Sequence, residues 1–428
     1  MSTTGAIDDR GTAGDARQFA LAFIRSRANR LLDVMVGFWV FTGGIVLVEP
    51  SPYELSFLLV LPLAFIAGMG LYRSTFGLLL IMIGFTPFAL IACFQVRYND
   101  LSDALIFSIV TIFLMFTAYF AANYVAEDTD RRMRIIMKAF TAAAVMCALL
   151  GTLGYLGLIP GAELFTRYGR AKATFNDPNV YGPFLVLPAM FALQRVLLGT
   201  RRTAIIAGII YMILFIGVFV SFSRAAWGNF AASSAVVLGL CFLLEATARD
   251  KVRMMIMSLV GLGMLIVALG GLLSIPQVSE LFAQRAAGQS YDSGETGRFG
   301  RQGYAFEMAI ANPLGIGPGE FPHLRIVELP HNVYVTVLHY YGWGGGFFYY
   351  LLVILTLWRG ISALTRPSPY RLVMIPLVAT FALLVAESAI IDSDHWRHYY
   401  LVAGLIWGIS TAIRNDPRST ASRDQMLI

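Results

Sequence analysis

Apolar residues along this chain arrive in blocks of about 20, separated by short polar connections. A block of that length crosses a bilayer as a helix. Lipid offers no hydrogen-bond partners, so each block must satisfy its own backbone, which a helix does. The short alternating segments of a membrane barrel are not seen. The pattern therefore predicts an all-α polytopic membrane protein of about 12 transmembrane helices. The spans open near Leu31, Glu54, Phe76, Leu101, Ile135, Val180, Ala204, Ala225, Met254, Val333, Leu372 and Tyr399.

One connection is long, residues 274–332, between the ninth and tenth spans. Residues 1–30 are polar and basic and read as a disordered cytoplasmic tail, residues 31–413 as the transmembrane domain, and 414–428 as a second cytoplasmic tail. The first stretch lacks the short apolar core and cleavage site of a signal peptide, so the first span reads as an uncleaved signal anchor. Alternating the spans from a cytoplasmic N-terminus puts about two thirds of the 32 Lys and Arg residues on inside connections. Both termini are then cytoplasmic, and the long loop faces out.

Composition agrees. Apolar residues make up 57% and charged residues 14% of the chain, against about 25% charged in soluble proteins. The net charge of +6 does not point to nucleic acid, because the basic residues are scattered over loops instead of forming a patch. Cys93, Cys147 and Cys241 fall within apolar runs without metal-ligand spacing and read as buried thiols.

The outer basic residues concentrate in two loops, 162–178 and 274–332. The segment Ser221-Phe222-Ser223-Arg224-Ala225-Ala226-Trp227 joins the seventh and eighth spans with almost no loop. Arg224 there reads either as snorkelling to headgroups or as an anion clamp for a lipid-linked phosphate. A guanidinium donates two parallel hydrogen bonds to phosphate and keeps its charge. Neighbouring Ser223 and the start of the eighth span add donors. Arg298, with Arg301 nearby, lies in the long loop, either on a ligand or bridged to Glu295 or another loop acid. A short helix over 302–311 and a Gly/Pro run over 312–321 follow; such a run makes a tight turn that can bring backbone amides near a ligand.

His331 and Asn332 stand where the chain re-enters the membrane. Imidazole suits proton transfer near neutral pH, although a His at a helix start also serves as a simple cap. Residues 173–179 read as a turn and helix cap, preceded by Arg167, Arg170 and Lys172. In the last outer loop, Asp392-x-Asp394 has a spacing that can hold a divalent cation. Asp128-x-Asp130 repeats it on the inside, so an ion pair with an outer arginine is the preferred reading. Glu387 is expected to face the bundle interior near that loop.

Taken together, Ser-x-Ser-Arg-x-x-Trp at 221–227, the Arg298 region, Asn-Pro-Leu-Gly-Ile-Gly-Pro-Gly at 312–319, His331-Asn332 and Tyr341-Gly342-Trp343-Gly344 resemble the O-antigen ligase and polymerase superfamily. The resemblance covers roughly residues 170–410 and is carried by the order, spacing and sidedness of short motifs. It departs at Tyr304, where the family often has Trp. What it implies is a metal-independent, inverting glycosyltransferase of the bacterial inner membrane, working at the periplasmic face without a cofactor. The implied donor is a glycan on undecaprenyl diphosphate, and the implied acceptor a lipid A-core sugar. Arg224 and Arg298 match the arginines that engage the donor diphosphate, and His331 the base on the acceptor hydroxyl. Arg301, Asn332, Ser223 and Arg170 are supporting candidates. Polysaccharide assembly proteins are candidate partners beside the membrane lipids.

Two alternatives stay open. A polymerase shares the donor chemistry and hands the glycan to another repeat unit, extending O-antigen or exopolysaccharide. A transporter or flippase would instead show midplane charges, broken helices and an internal repeat.

Overall fold

The computed structural model describes residues 9–48, 50–286, 297–324 and 328–415, and a helix stands at every predicted span. In chain order these are α1 (Asp9–Thr42), α2 (Pro52–Ala67), α3 (Phe76–Cys93), α4 (Leu101–Glu127), α5 (Thr129–Tyr155), α6 (Pro178–Phe184), α7 (Val186–Leu198), α8 (Arg201–Val220), α9 (Arg224–Leu244) and α10 (Ala248–Leu273). Within the long loop follow α11 (Pro276–Ala286), α12 (Arg298–Ala311) and α13 (Phe321–Leu324), then α14 (Val333–Leu364), α15 (Arg371–Glu387) and α16 (Arg397–Asn415). Among the described residues, eight helices are long and apolar enough to cross a membrane. The protein is an all-α polytopic membrane protein. Cys93, Cys147 and Cys241 are buried thiols, as expected.

Three departures from the sequence reading have physical causes. The expected disordered tail is helical from Asp9, continuous with the first span. A helix already nucleated by a membrane span extends at low cost through good helix formers such as Ala, Arg and Leu. The second tail beyond Asn415 lies outside the described residues. The sixth span is split at Leu185 into α6 and α7; Pro188 has no N–H for the Phe184 carbonyl, which loosens the ladder there. The third departure is a two-stranded hairpin, β1 (Thr166–Arg167) and β2 (Arg170–Ala171), paired antiparallel with Arg167 opposite Arg170. Its turn residues, Tyr168 and Gly169, both have positive φ, 54° and 69°, the geometry that suits a two-residue hairpin.

Close helix contacts are made by small residues. A Cβ on Gly404 or Gly408 of α16 would come within 2.4 or 2.5 Å of the Ala118 or Ala122 carbonyl of α4. Lipid gives no hydrophobic drive between helices, so this small-xxx-small packing supplies van der Waals contact instead. At one end of the bundle, Asp33 bridges Arg131 (2.9 Å), and Arg132 bridges Glu127 (2.8 Å). At the other end gather the connections expected on the outer side. Arg397 bridges Glu54 there at 2.7 Å, and the Val46 amide donates to the Thr174 carbonyl at 2.8 Å.

The glycine-rich motifs build a backbone junction. α14 is broken at Gly342 (φ 69°, ψ −174°). The loop after α12 docks into the break. Ile316 N donates to His339 O (2.8 Å), Gly317 N to Tyr340 O (3.1 Å), and Trp343 N to Pro313 O (3.0 Å). These bonds satisfy groups that the broken helix leaves open, as burial requires. The amides expected near a ligand are therefore spent on helix carbonyls. The same loop ends in Glu320, whose carboxylate accepts from the backbone of Arg97 (3.0 Å), Tyr98 (3.1 Å) and Asn99 (3.0 Å). The long loop is thus anchored at both α14 and the α3–α4 turn.

Candidate active site

At the end of the bundle that carries the long loop lies a cavity of about 1240 Å³. Arg170, Ser223, Arg224, Arg298 and His331 all line it. They come from the hairpin, the α8–α9 turn, α12 and the start of α14, so distant segments converge.

The α8–α9 turn is tight because its polar groups are used locally. Phe222 adopts φ 47°. Ser223 caps α9, accepting from Ala226 N at 3.4 Å. The Trp227 indole donates to the Val218 and Phe219 carbonyls at 3.2 and 3.1 Å. Arg224 is thereby fixed as the first residue of α9, at the cavity wall.

Arg298 opens α12, which begins four residues earlier than the sequence indicated. Its suggested partner Glu295 lies outside the described residues. Arg301, one turn on, is not on the cavity wall. It is buried and bridges Glu328 at 2.6 Å, so it holds α12 to the segment before His331. Asn332 is not on the wall either. Its side chain caps α14, accepting from Tyr334 N (3.1 Å) and Val335 N (3.4 Å). Arg170 is buried against the α8–α9 turn, donating from Nε to Ser221 O (2.8 Å) and from Nη2 to Asn179 Oδ1 (2.7 Å). Asp177 caps α6 through Asn179 N (2.7 Å), as the 173–179 turn predicted.

His331 is held in a left-handed conformation, φ 52°, which costs a non-glycine residue about 1–3 kcal/mol. Gln302 Nε2 donates to its carbonyl at 3.3 Å. Its Nδ1 lies 2.9 Å from Asp392 Oδ2, and Thr336 Oγ1 donates to the other oxygen of Asp392 at 3.2 Å. A carboxylate only accepts, so this bond puts the ring proton on Nδ1 and leaves the lone pair on Nε2. The expected partner of this acid pair was an arginine; the partner is instead the histidine. Asp394 does not join it and is buried, with burial and the nearby Asp392 pushing it up to about 7. Glu387, at the end of α15, faces the interior and accepts from Asn229 Nδ2 at 2.6 Å.

Residues 208–350 match the family model described as O-antigen ligase. This segment belongs to the O-antigen ligase family. No curated protein matches the chain. The O-antigen ligase segment covers about one third of the chain and carries Arg224, Arg298, His331 and the Gly342 junction. Its family supports a membrane glycosyltransferase of the ligase or polymerase type, acting on lipid-linked glycans. Arg170 and Asp392 lie outside the segment and reach the cavity through the fold. The broken helices expected of a transporter do occur. The break in the O-antigen ligase segment, at Gly342, is filled by the chain's own loop and carries no charge.

Sequence reasoning missed Arg285 and Asn229, both on the cavity wall. Asn229 carried a signal, as an amide inside an apolar span. Arg285 carried only its place among the outer basic residues.

Proposed function

We propose that the protein is an inverting, metal-independent glycosyltransferase of the O-antigen ligase type, moving a glycan from undecaprenyl diphosphate to a lipid A-core hydroxyl at the periplasmic face of a bacterial inner membrane. The observation that carries this reading is the convergence of Arg224, Arg298 and an Asp392-bound His331 on one cavity. The excess of Lys and Arg on the opposite connections supports the sidedness, with residues 274–332 as the periplasmic loop.

The chemistry follows from the residue types. His331 Nε2 takes the proton from the acceptor hydroxyl, whose oxygen attacks the anomeric carbon from the face opposite the diphosphate. The anomeric carbon–oxygen bond breaks, its electron pair leaves with the diphosphate, and configuration inverts. Arg224 and Arg298 meet the charge that gathers on the leaving group. Asp392 orients the imidazole and stabilises the imidazolium it becomes, as a carboxylate partner does for a general base. The donor's lipid tail lies among apolar helices while its glycan stays in water.

The test is transfer in vitro. Purified protein, a lipid-linked glycan donor and a lipid A-core acceptor are incubated with chelator and without nucleotide. A new glycosidic bond of inverted configuration is expected. A need for added metal, or no transfer to any acceptor while substrate crosses the membrane, overturns the reading. Deleting the gene separates ligase from polymerase. Loss of a ligase leaves bare core with stored lipid-linked chains, whereas loss of a polymerase leaves cores capped by single repeats or no exopolysaccharide.

A further inference from the structure

Among the described residues, the cavity wall holds two more guanidinium groups than the mechanism above uses, those of Arg170 and Arg285. Arg170 is only 6% exposed, and its two acceptors among the described residues, the Ser221 carbonyl and the Asn179 amide oxygen, are neutral. Arg285 comes from α11. That helix is pinned to the α8–α9 turn by Phe282, whose ring lies 5.5 Å from Trp227 and 5.9 Å from Phe219, centroid to centroid. Burial together with the like charge of Arg285 lowers Arg170 to about 10, with Asp177 opposing the shift.

The acids on the same wall have other partners among the described residues. Asp177 caps α6, Glu328 bridges Arg301, Glu387 bonds Asn229, and Asp392 bonds His331. Two cations facing one cavity, one of them buried on neutral partners, is an arrangement that an anion completes. The four arginines fall into two structural pairs. Arg224 and Arg298 open helices α9 and α12, whereas Arg170 and Arg285 sit on the hairpin and on α11.

We propose that Arg170 and Arg285 form a second phosphate subsite, so that each phosphate of a lipid-linked diphosphate meets its own pair of guanidinium groups. This rests on the transferase reading and adds to it a basis for telling a diphosphate carrier from a monophosphate carrier. Arg170 is the fixed member, locked by two hydrogen bonds. Arg285 is the member whose position depends on the Phe282–Trp227 contact. The same charge pattern would suit the phosphate of an ordinary phospholipid headgroup, so the test must separate the two sources.

Full-length protein in nanodiscs is titrated with undecaprenyl diphosphate and with undecaprenyl monophosphate, and with phosphatidylglycerol as competitor. Wild type is expected to prefer the diphosphate by about tenfold or more, the scale of one charge-assisted hydrogen bond. Arg285→Ala is expected to cut that preference below about threefold while leaving monophosphate affinity nearly unchanged, and Arg285→Lys to restore part of it. Phe282→Ala is expected to act in the same direction. Arg224→Ala weakens both lipids.

An Arg285→Ala protein that keeps the full preference, or loses affinity for both lipids equally, overturns the proposal. So does phosphatidylglycerol competing as well as the diphosphate. If wild type shows the preference and Arg285→Ala loses it, yet no sugar is ever transferred, the subsite stands and the transferase reading falls.

Discussion

The pairing of His331 with Asp392 gives a quantitative prediction. Substituting Asp392→Ala removes the acceptor 2.9 Å from Nδ1. A hydrogen bond to a charged group contributes about 1.5–3 kcal/mol. His331 and Asp392 side chains are 33% and 19% exposed, so water replaces part of the lost interaction and the low end of that range applies. A loss near 1.5 kcal/mol is about a tenfold fall in kcat. His331→Ala, which removes the base itself, is expected to cost about 10²–10⁴-fold. Asp392 acts only through the imidazole, so the two losses must not add. In the His331→Ala background, Asp392→Ala should change the residual rate by less than about twofold. Glycan transfer with saturating donor, measured for the four members of this double-mutant cycle, checks this. Full additivity, with Asp392→Ala costing about tenfold in both backgrounds, would refute the mechanism, because Asp392 would then be acting on something other than His331.

Three further outcomes follow from the same geometry. Arg224→Ala and Arg298→Ala are each expected to abolish transfer in folded protein, and the Lys variants to stay about 10–100-fold below wild type, because a point charge lacks the bidentate fork; near-normal Lys variants in the same assay would show that charge alone suffices. Gly342→Ala places a Cβ 2.3 Å from the Pro313 carbonyl at φ 69° and is expected to lower stability by about 3 kcal/mol, read as a fall in the thermal midpoint in detergent. Asp394 titrates at about 7 in the folded protein, above the ordinary carboxyl range; the folded state then holds this proton more tightly than the unfolded one, so stability falls as pH rises from about 4 through about 7. Asp394→Asn is expected to flatten that part of the midpoint-versus-pH curve, and an unchanged slope would show that another group titrates there.

Much of the local structure was legible because membrane insertion writes itself into sequence. The helix starts at Phe76, Leu101 and Val333 fell where the apolar blocks began, since an unbonded backbone group in lipid is too costly for the boundary to drift far. The Asp177 cap and the buried cysteines were likewise local. The first tail misread the helix from Asp9, because extension of an existing helix leaves little compositional trace. The hairpin at 166–171 was missed because two-residue strands have no readable period.

The sequence by itself determined that the chain is an all-α polytopic membrane protein, where its apolar helices lie, and which motifs carry guanidinium and imidazole groups. Periodicity, lipid insolubility of open backbone and charge bias are properties of neighbouring residues, so a linear reading recovers them. Only the tertiary structure decided what those groups touch. It turned the glycine-rich run into a plug for the broken helix at Gly342 and made Arg301 a strut to Glu328. It also gave Asp392 to His331 across 61 residues, and brought Arg170 and Arg285 to one wall. Such contacts join residues far apart in the chain, and they are fixed by how the helices pack, which no single stretch of sequence records.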